Sequence, residues 1–89
     1  MNEITDIQFR ILDSLYFVEP FDKIVEESGE SSYIVADDLK TMISRGWVQV
    51  MEFDKKTGDF AKTIFYDSDN MREFHFLATK DGMLRHNGR

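Results

Sequence analysis

Few residues of this chain are of a type and spacing that could carry covalent chemistry. The two histidines, His75 and His86, are eleven positions apart with no paired ligand pattern around them. A metal needs several converging ligands, so each reads as a structural histidine. Asp67-Ser68-Asp69-Asn70 imitates the start of a calcium loop. The sixth position of such a loop requires glycine and here is Arg72; the twelfth requires glutamate and here is Ala78. The segment therefore reads as a turn. Ser31-Ser32 suits a helix cap better than a nucleophile, because no histidine accompanies it. The glycines lack phosphate-loop spacing. The absence of cysteine removes disulfides, thiolate metal sites and thiol catalysis. No catalytic residue, metal ligand or cofactor is expected, and the chain does not read as an enzyme.

What remains is the chemistry of binding: hydroxyls, lysines and a generous supply of aromatics. With 89 residues, 42% hydrophobic and 13% aromatic, the chain is too apolar to stay disordered, and its length is that of one domain spanning residues 1–89. Only ~60–65% of the unfolded surface of so short a chain can be buried, so the core is small. No apolar run approaches the ~18 residues of a membrane span. The acidic, alternating start "MNEITDIQ" is unlike a signal peptide. A cytoplasmic protein with no membrane partner is the expectation.

The elements that must position these residues follow from periodicity. In "TDIQFRILDSLYF", Ile7, Ile11 and Leu15 recur four apart, the spacing of an amphipathic helix, with Thr5 or Asp6 able to cap it. Pro20 suits the first turn of a second helix carrying Phe21, Ile24 and Val25, which Gly29 stops. "SSYIVADDLKTMISRG" makes a third, with Val35, Leu39, Met42 and Ile43 as its buried row and Gly46 at its end. The period then changes to two. "WVQVMEF" and "FAKTIFY" read as strands joined by "DKKTGD", where Gly58 fits a left-handed loop position. "REFHFLA" reads as a third strand, and "TKDGMLRHNGR" as a last helical turn capped by Thr79. The expected fold is α+β: three helices, then an antiparallel hairpin or three-stranded meander, then a short helical turn.

This order, with the local pattern Leu39-x-x-Met42-x-x-Arg45-Gly46-Trp47-Val48 and the closing segment Phe76-Leu77-Ala78-Thr79-Lys80-Asp81-Gly82, resembles the winged helix-turn-helix family of bacterial regulators. The resemblance spans about residues 4–86. It implies a transcription-regulator-like protein that binds double-stranded DNA as a dimer. The helix from about Ser31 to Arg45 would then enter the major groove. The resemblance puts Ser32, Tyr33, Lys40, Thr41 and Ser44 on its outward face, together with Ala36 and Asp37. Lys55 and Lys56 at the wing tip, with Lys62 nearby, would reach phosphates.

The charge distribution argues the other way. Residues 1–45 carry ten carboxylates against four basic side chains, so the whole net charge of −6 sits there; residues 46–89 are balanced. DNA affinity comes largely from cations that displace counterions along the phosphates, and no basic footprint is visible in the helical half. Lysines at a hairpin tip also serve solubility and discourage edge pairing. The alternative to DNA binding is an acidic winged-helix protein-interaction module.

The strands supply that alternative with a surface. Trp47, Met51 and Phe53 share one face of the first strand, and Phe60 belongs to a face of the second. Phe74 and Phe76 share a face of the third. Apolar residues occupy both faces, yet three helices can cover only one. These six side chains are therefore the expected contact with a protein partner, most simply a second copy.

Overall fold

The computed structural model describes residues 3–88. It is α+β, with four α-helices and a four-stranded antiparallel sheet among those residues: α1 (Asp6–Ser14), β1 (Glu19–Pro20), α2 (Phe21–Ser28), α3 (Ser32–Ser44), β2 (Val48–Asp54), β3 (Asp59–Thr63), a 3-10 turn (Met71–Glu73), β4 (His75–Ala78) and α4 (Lys80–Asn87). This layout is compatible with a winged helix.

The helices begin where side-chain acceptors can meet free amides. Thr5 closes a reciprocal capping box: its hydroxyl accepts from the Gln8 amide at 3.1 Å, and the Gln8 side chain accepts from the Thr5 amide at 3.0 Å. Ser31 caps α3 and Thr79 caps α4. α3 ends in a Schellman motif, in which Gly46 takes φ 77° and donates to the Ile43 carbonyl at 3.0 Å. The Trp47 amide reaches back to Met42 at 2.8 Å. Leu39-to-Val50 is therefore one device: it stops a helix, reverses the chain and starts a strand.

One apolar cluster lies between the helices and the inner sheet face. Ile11, Leu12 and Leu15 of the first helical segment meet Phe21, Ile24, Val35, Leu39, Met42, Val48, Val50 and Phe76, all buried. Gln8, also buried, donates to Asp38 at 3.2 Å and ties α1 to α3.

Three features differ from the sequence expectation. β1 adds a fourth strand, because Glu19 and Pro20 pair with Phe76 and His75 before α2 begins. The strand order is β1-β4-β2-β3, which is not a meander. From β3 the chain passes back across β2 through residues 64–74, pinned by buried Met71, and β4 pairs on the far side of β2. The last element is a full two-turn helix rather than one turn. α4 docks where no side chain intervenes: a Cβ on Gly82 would collide with the Trp47 carbonyl oxygen. That same carbonyl accepts from the Thr79 amide at 3.0 Å.

Candidate functional site

Two surfaces collect the binding residues: the outward side of α3 with the β2–β3 hairpin, and the sheet face turned away from the helices.

On α3, Tyr33 is 87% exposed, Lys40 and Ser44 are exposed, and Ser32 is half-buried. Thr41 is half-buried, and its hydroxyl donates to the Asp37 carbonyl one turn back. The returning segment runs beside this helix. It forms with α3 a groove of ≈ 540 Å³, with Ser32, Tyr33, Asp37 and Lys40 on one wall and Asp69 and Arg72 on the other. Arg72 is engaged elsewhere: its Nε donates to Asp22 at 2.8 Å, and its guanidinium lies 5.3 Å from the Phe21 ring centroid. Among the described residues the face thus offers one cation without an ion pair, Lys40, beside the carboxylates of Asp37 and Asp69.

The hairpin tip places Lys55 and Lys56 in solvent, Lys62 is exposed on β3, and none of the three forms an ion pair among the described residues. Asp54 and Asp59 face each other across the mouth of the hairpin. The Asp54 carboxylate accepts from the Lys56 amide at 2.9 Å, and the Asp54 carbonyl accepts from Gly58 at 2.8 Å. Like charges placed directly opposite destabilise a strand pair. Lys55 and Lys56 balance these two carboxylates in formal charge, so the tip carries no excess positive charge.

The second surface is set by strand register. Val48 pairs with Ala78 and Val50 with Phe76, which fixes the even-numbered residues of β2 on the helix side. Gln49, Met51 and Phe53 of β2, Phe60 and Lys62 of β3, and His75 and Leu77 of β4 then share the outer side. Phe53 meets Phe60 edge-on with centroids 5.4 Å apart, and Phe60 leans on His75 at 4.6 Å, a ring contact running across three strands. Met51, Phe60, His75 and Leu77 are half-buried and Phe53 is 49% exposed. All four carboxylates carried by strands, Glu19, Glu52, Asp54 and Asp59, fall on the opposite side by the same register.

Of the six aromatic and apolar residues expected at a contact, the structure brings Met51, Phe53 and Phe60 together on this face. Trp47, 2% exposed, and Phe76, 0% exposed, belong to the core instead. Trp47 precedes β2, so strand alternation does not govern it; it lies between the guanidinium groups of Arg45 and Arg85, 5.2 and 5.6 Å from its centroid. Phe74 precedes β4, packs against the core cluster and meets Tyr66 edge-on. Sequence reasoning misses His75 and Leu77 as members of the face. The period-two signal is present in "REFHFLA", but the expectation follows the phase of Phe74 and Phe76.

The other histidine fastens α4 to α1. The His86 ring stacks on Phe9 at 4.3 Å, its Nδ1 lies 2.8 Å from the Tyr16 hydroxyl, and its Nε2 lies 3.1 Å from Asp13. The Asp67–Asn70 segment forms the expected turn, closed by the Asn70 amide donating to the Asp67 carbonyl at 3.0 Å. Among the described residues no group of three His, Asp or Glu side chains converges as a metal site, and no helix is long and apolar enough to cross a membrane. No family model, curated protein or solved structure matches the chain.

Proposed function

We propose that this chain is an acidic protein-interaction module of winged-helix layout, binding through the outer face of its sheet. One observation carries the reading: the strands place Met51, Phe53, Phe60 and Leu77 on that face, among Gln49, Lys62 and His75, and every strand carboxylate on the other. An antiparallel face exposed only to water ordinarily carries polar residues, and an apolar patch that persists at the surface marks a contact. The charge on the helical side is consistent with this. Asp37 and Asp69 stand beside Lys40 in the α3 groove, so a phosphate backbone entering there would meet repulsion as well as attraction.

A second reading, binding of double-stranded DNA as a transcription regulator, is favoured by a different observation. Lys40, Lys55, Lys56 and Lys62 are exposed, and form no ion pair among the described residues, on the two elements that a winged helix presents to a duplex. Polarisation of a labelled duplex at low salt, where electrostatic binding is strongest, separates the two. The interaction reading expects no complex at high micromolar protein. A salt-sensitive complex that Lys55→Ala with Lys56→Ala weakens on every sequence would overturn it. The salt slope would then fall by roughly one unit for each phosphate that the variant no longer neutralises.

A further inference from the structure

We propose that the occupant of the outer sheet face is a second copy of this chain, packed sheet against sheet about a two-fold axis with both helical layers outward. This rests on the interaction reading above and names its partner.

The argument begins with charge. The net −6 lies entirely in residues 1–45, which form the helical layer and β1. Two such layers brought together would repel. Face-to-face packing of the sheets is the arrangement that holds them farthest apart. The surface joining them contains no carboxylate in its strands: Gln49, Met51, Phe53, Phe60, His75 and Leu77 fill it, with Lys62 at the rim on edge strand β3. Lys62 can lay its stem along the apolar surface and keep its ammonium in water. A different protein would ordinarily be selected by charges complementary to its own. A face that is apolar at its centre and nearly uncharged is instead complementary to itself, as a two-fold contact requires.

Size sets the strength. Four strands of about five residues cover a plane on the order of 300 Å², from strand spacing and rise per residue. A standard interface buries about 800 Å² on each partner. A contact of this size is that of a weak, reversible dimer.

Sedimentation equilibrium of the full chain from about 5 to about 500 µM tests this directly, because weak association shows at the upper end of such a range. The expected result is a monomer–dimer equilibrium. Phe53→Asp puts a charge into the contact and should weaken association about tenfold or more. The side chain is already half exposed, so the fold should survive, and the circular dichroism spectrum checks that it does. Tyr33→Asp is the control: Tyr33 is 87% exposed on α3, in the helical layer that the dimer turns outward, and its replacement should leave the constant unchanged. A monomer across the whole range overturns the proposal. So does a dimer that Phe53→Asp leaves intact, or one that Tyr33→Asp dissolves. The duplex measurement keeps the two claims apart: a monomer that also fails to bind DNA removes the second copy as the occupant, whereas a salt-sensitive duplex complex removes the interaction reading itself.

Discussion

Strand β2 belongs to two different environments, and the contrast between them organises the molecule. Its first residues, Val48 and Val50, are sealed between Phe76, Ala78 and the helices. Its last residues, Glu52 to Asp54, run out with β3 into a hairpin whose pairing is to β2 alone among the strands. In the sealed region polar groups are satisfied locally and apolar groups are fully enclosed. In the open region the carboxylates stay on one side and aromatics gather on the other, with no helix to cover them. The first pattern is what a folded core requires. The second is the observation on which the interaction proposal rests.

The sharpest way to test that contrast is to cut into the sealed region and, beside it, into a position that faces water. Leu39 is fully buried among the α1, α2 and sheet side chains. Leu39→Ala should cost ~2–5 kcal/mol by lost transfer energy and the cavity left behind, much of the stability a domain this small can hold. Asp37→Ala, two positions earlier on the exposed side of α3, should cost little. Denaturant melts read both, and equal losses would mean that the helical phase of α3 is misassigned.

The sealed region was largely legible in the sequence, because its signals are local. Thr5 or Asp6 was recognisable as the cap of α1, the pair Ser31-Ser32 as that of α3 and Thr79 as that of α4; Thr5, Ser31 and Thr79 take the role. Gly29 and Gly46 were recognisable as helix stops and Gly58 as a left-handed loop position, and all three have positive φ. Of the expected row Val35, Leu39, Met42 and Ile43, the first three are buried and Ile43 is half-buried against the core. The open region was not legible, for two physical reasons. Alternation says which strand residues share a face but not which face is inside; that is decided by partners distant in sequence, such as Phe76 against Val50. β1 is a strand only because β4 lies beside it; two residues carry no periodicity of their own. The crossover that sets the order β4-β2-β3 likewise depends on where Met71 is buried, far along the chain from the strand it crosses.

A smaller effect is expected at the seam where α4 closes the sealed region. Gly82→Ala brings a methyl group against the Trp47 carbonyl and within 3.2 Å of Leu12. Backbone cannot yield as a flexible side chain can, so the cost should be ~1–3 kcal/mol, as in overpacked cores. Trp47 is the only tryptophan, and its emission should shift to the red as α4 loosens. An unchanged spectrum with unchanged stability would mean that α4 does not depend on this close approach.

The smallest effect concerns the segment that links the two regions. At the start of its turn, the Asp67 carboxyl is held below its ordinary value of 3.8, first by a hydrogen bond from the Asn70 side chain and then by the Asp69 amide. A carboxylate with a lowered folded value contributes its stability above the unfolded value, and loses it as pH falls through the folded one. The side chain is fully exposed, so water screens the contribution and the effect should be slight. Asn70→Ala removes the leading cause. The variant should be less stable than the parent at about pH 6, and the gap should close as pH falls through the folded value, below which Asp67 is protonated in both. Carboxyl titration by NMR should show Asp67 moving up toward 3.8 in the variant. A stability gap that stays constant through the acid range would mean that Asn70 holds the turn by some means other than the Asp67 carboxylate. The link between the sealed and open regions would then rest on packing, with Met71 buried and Tyr66 and Phe74 set against the core.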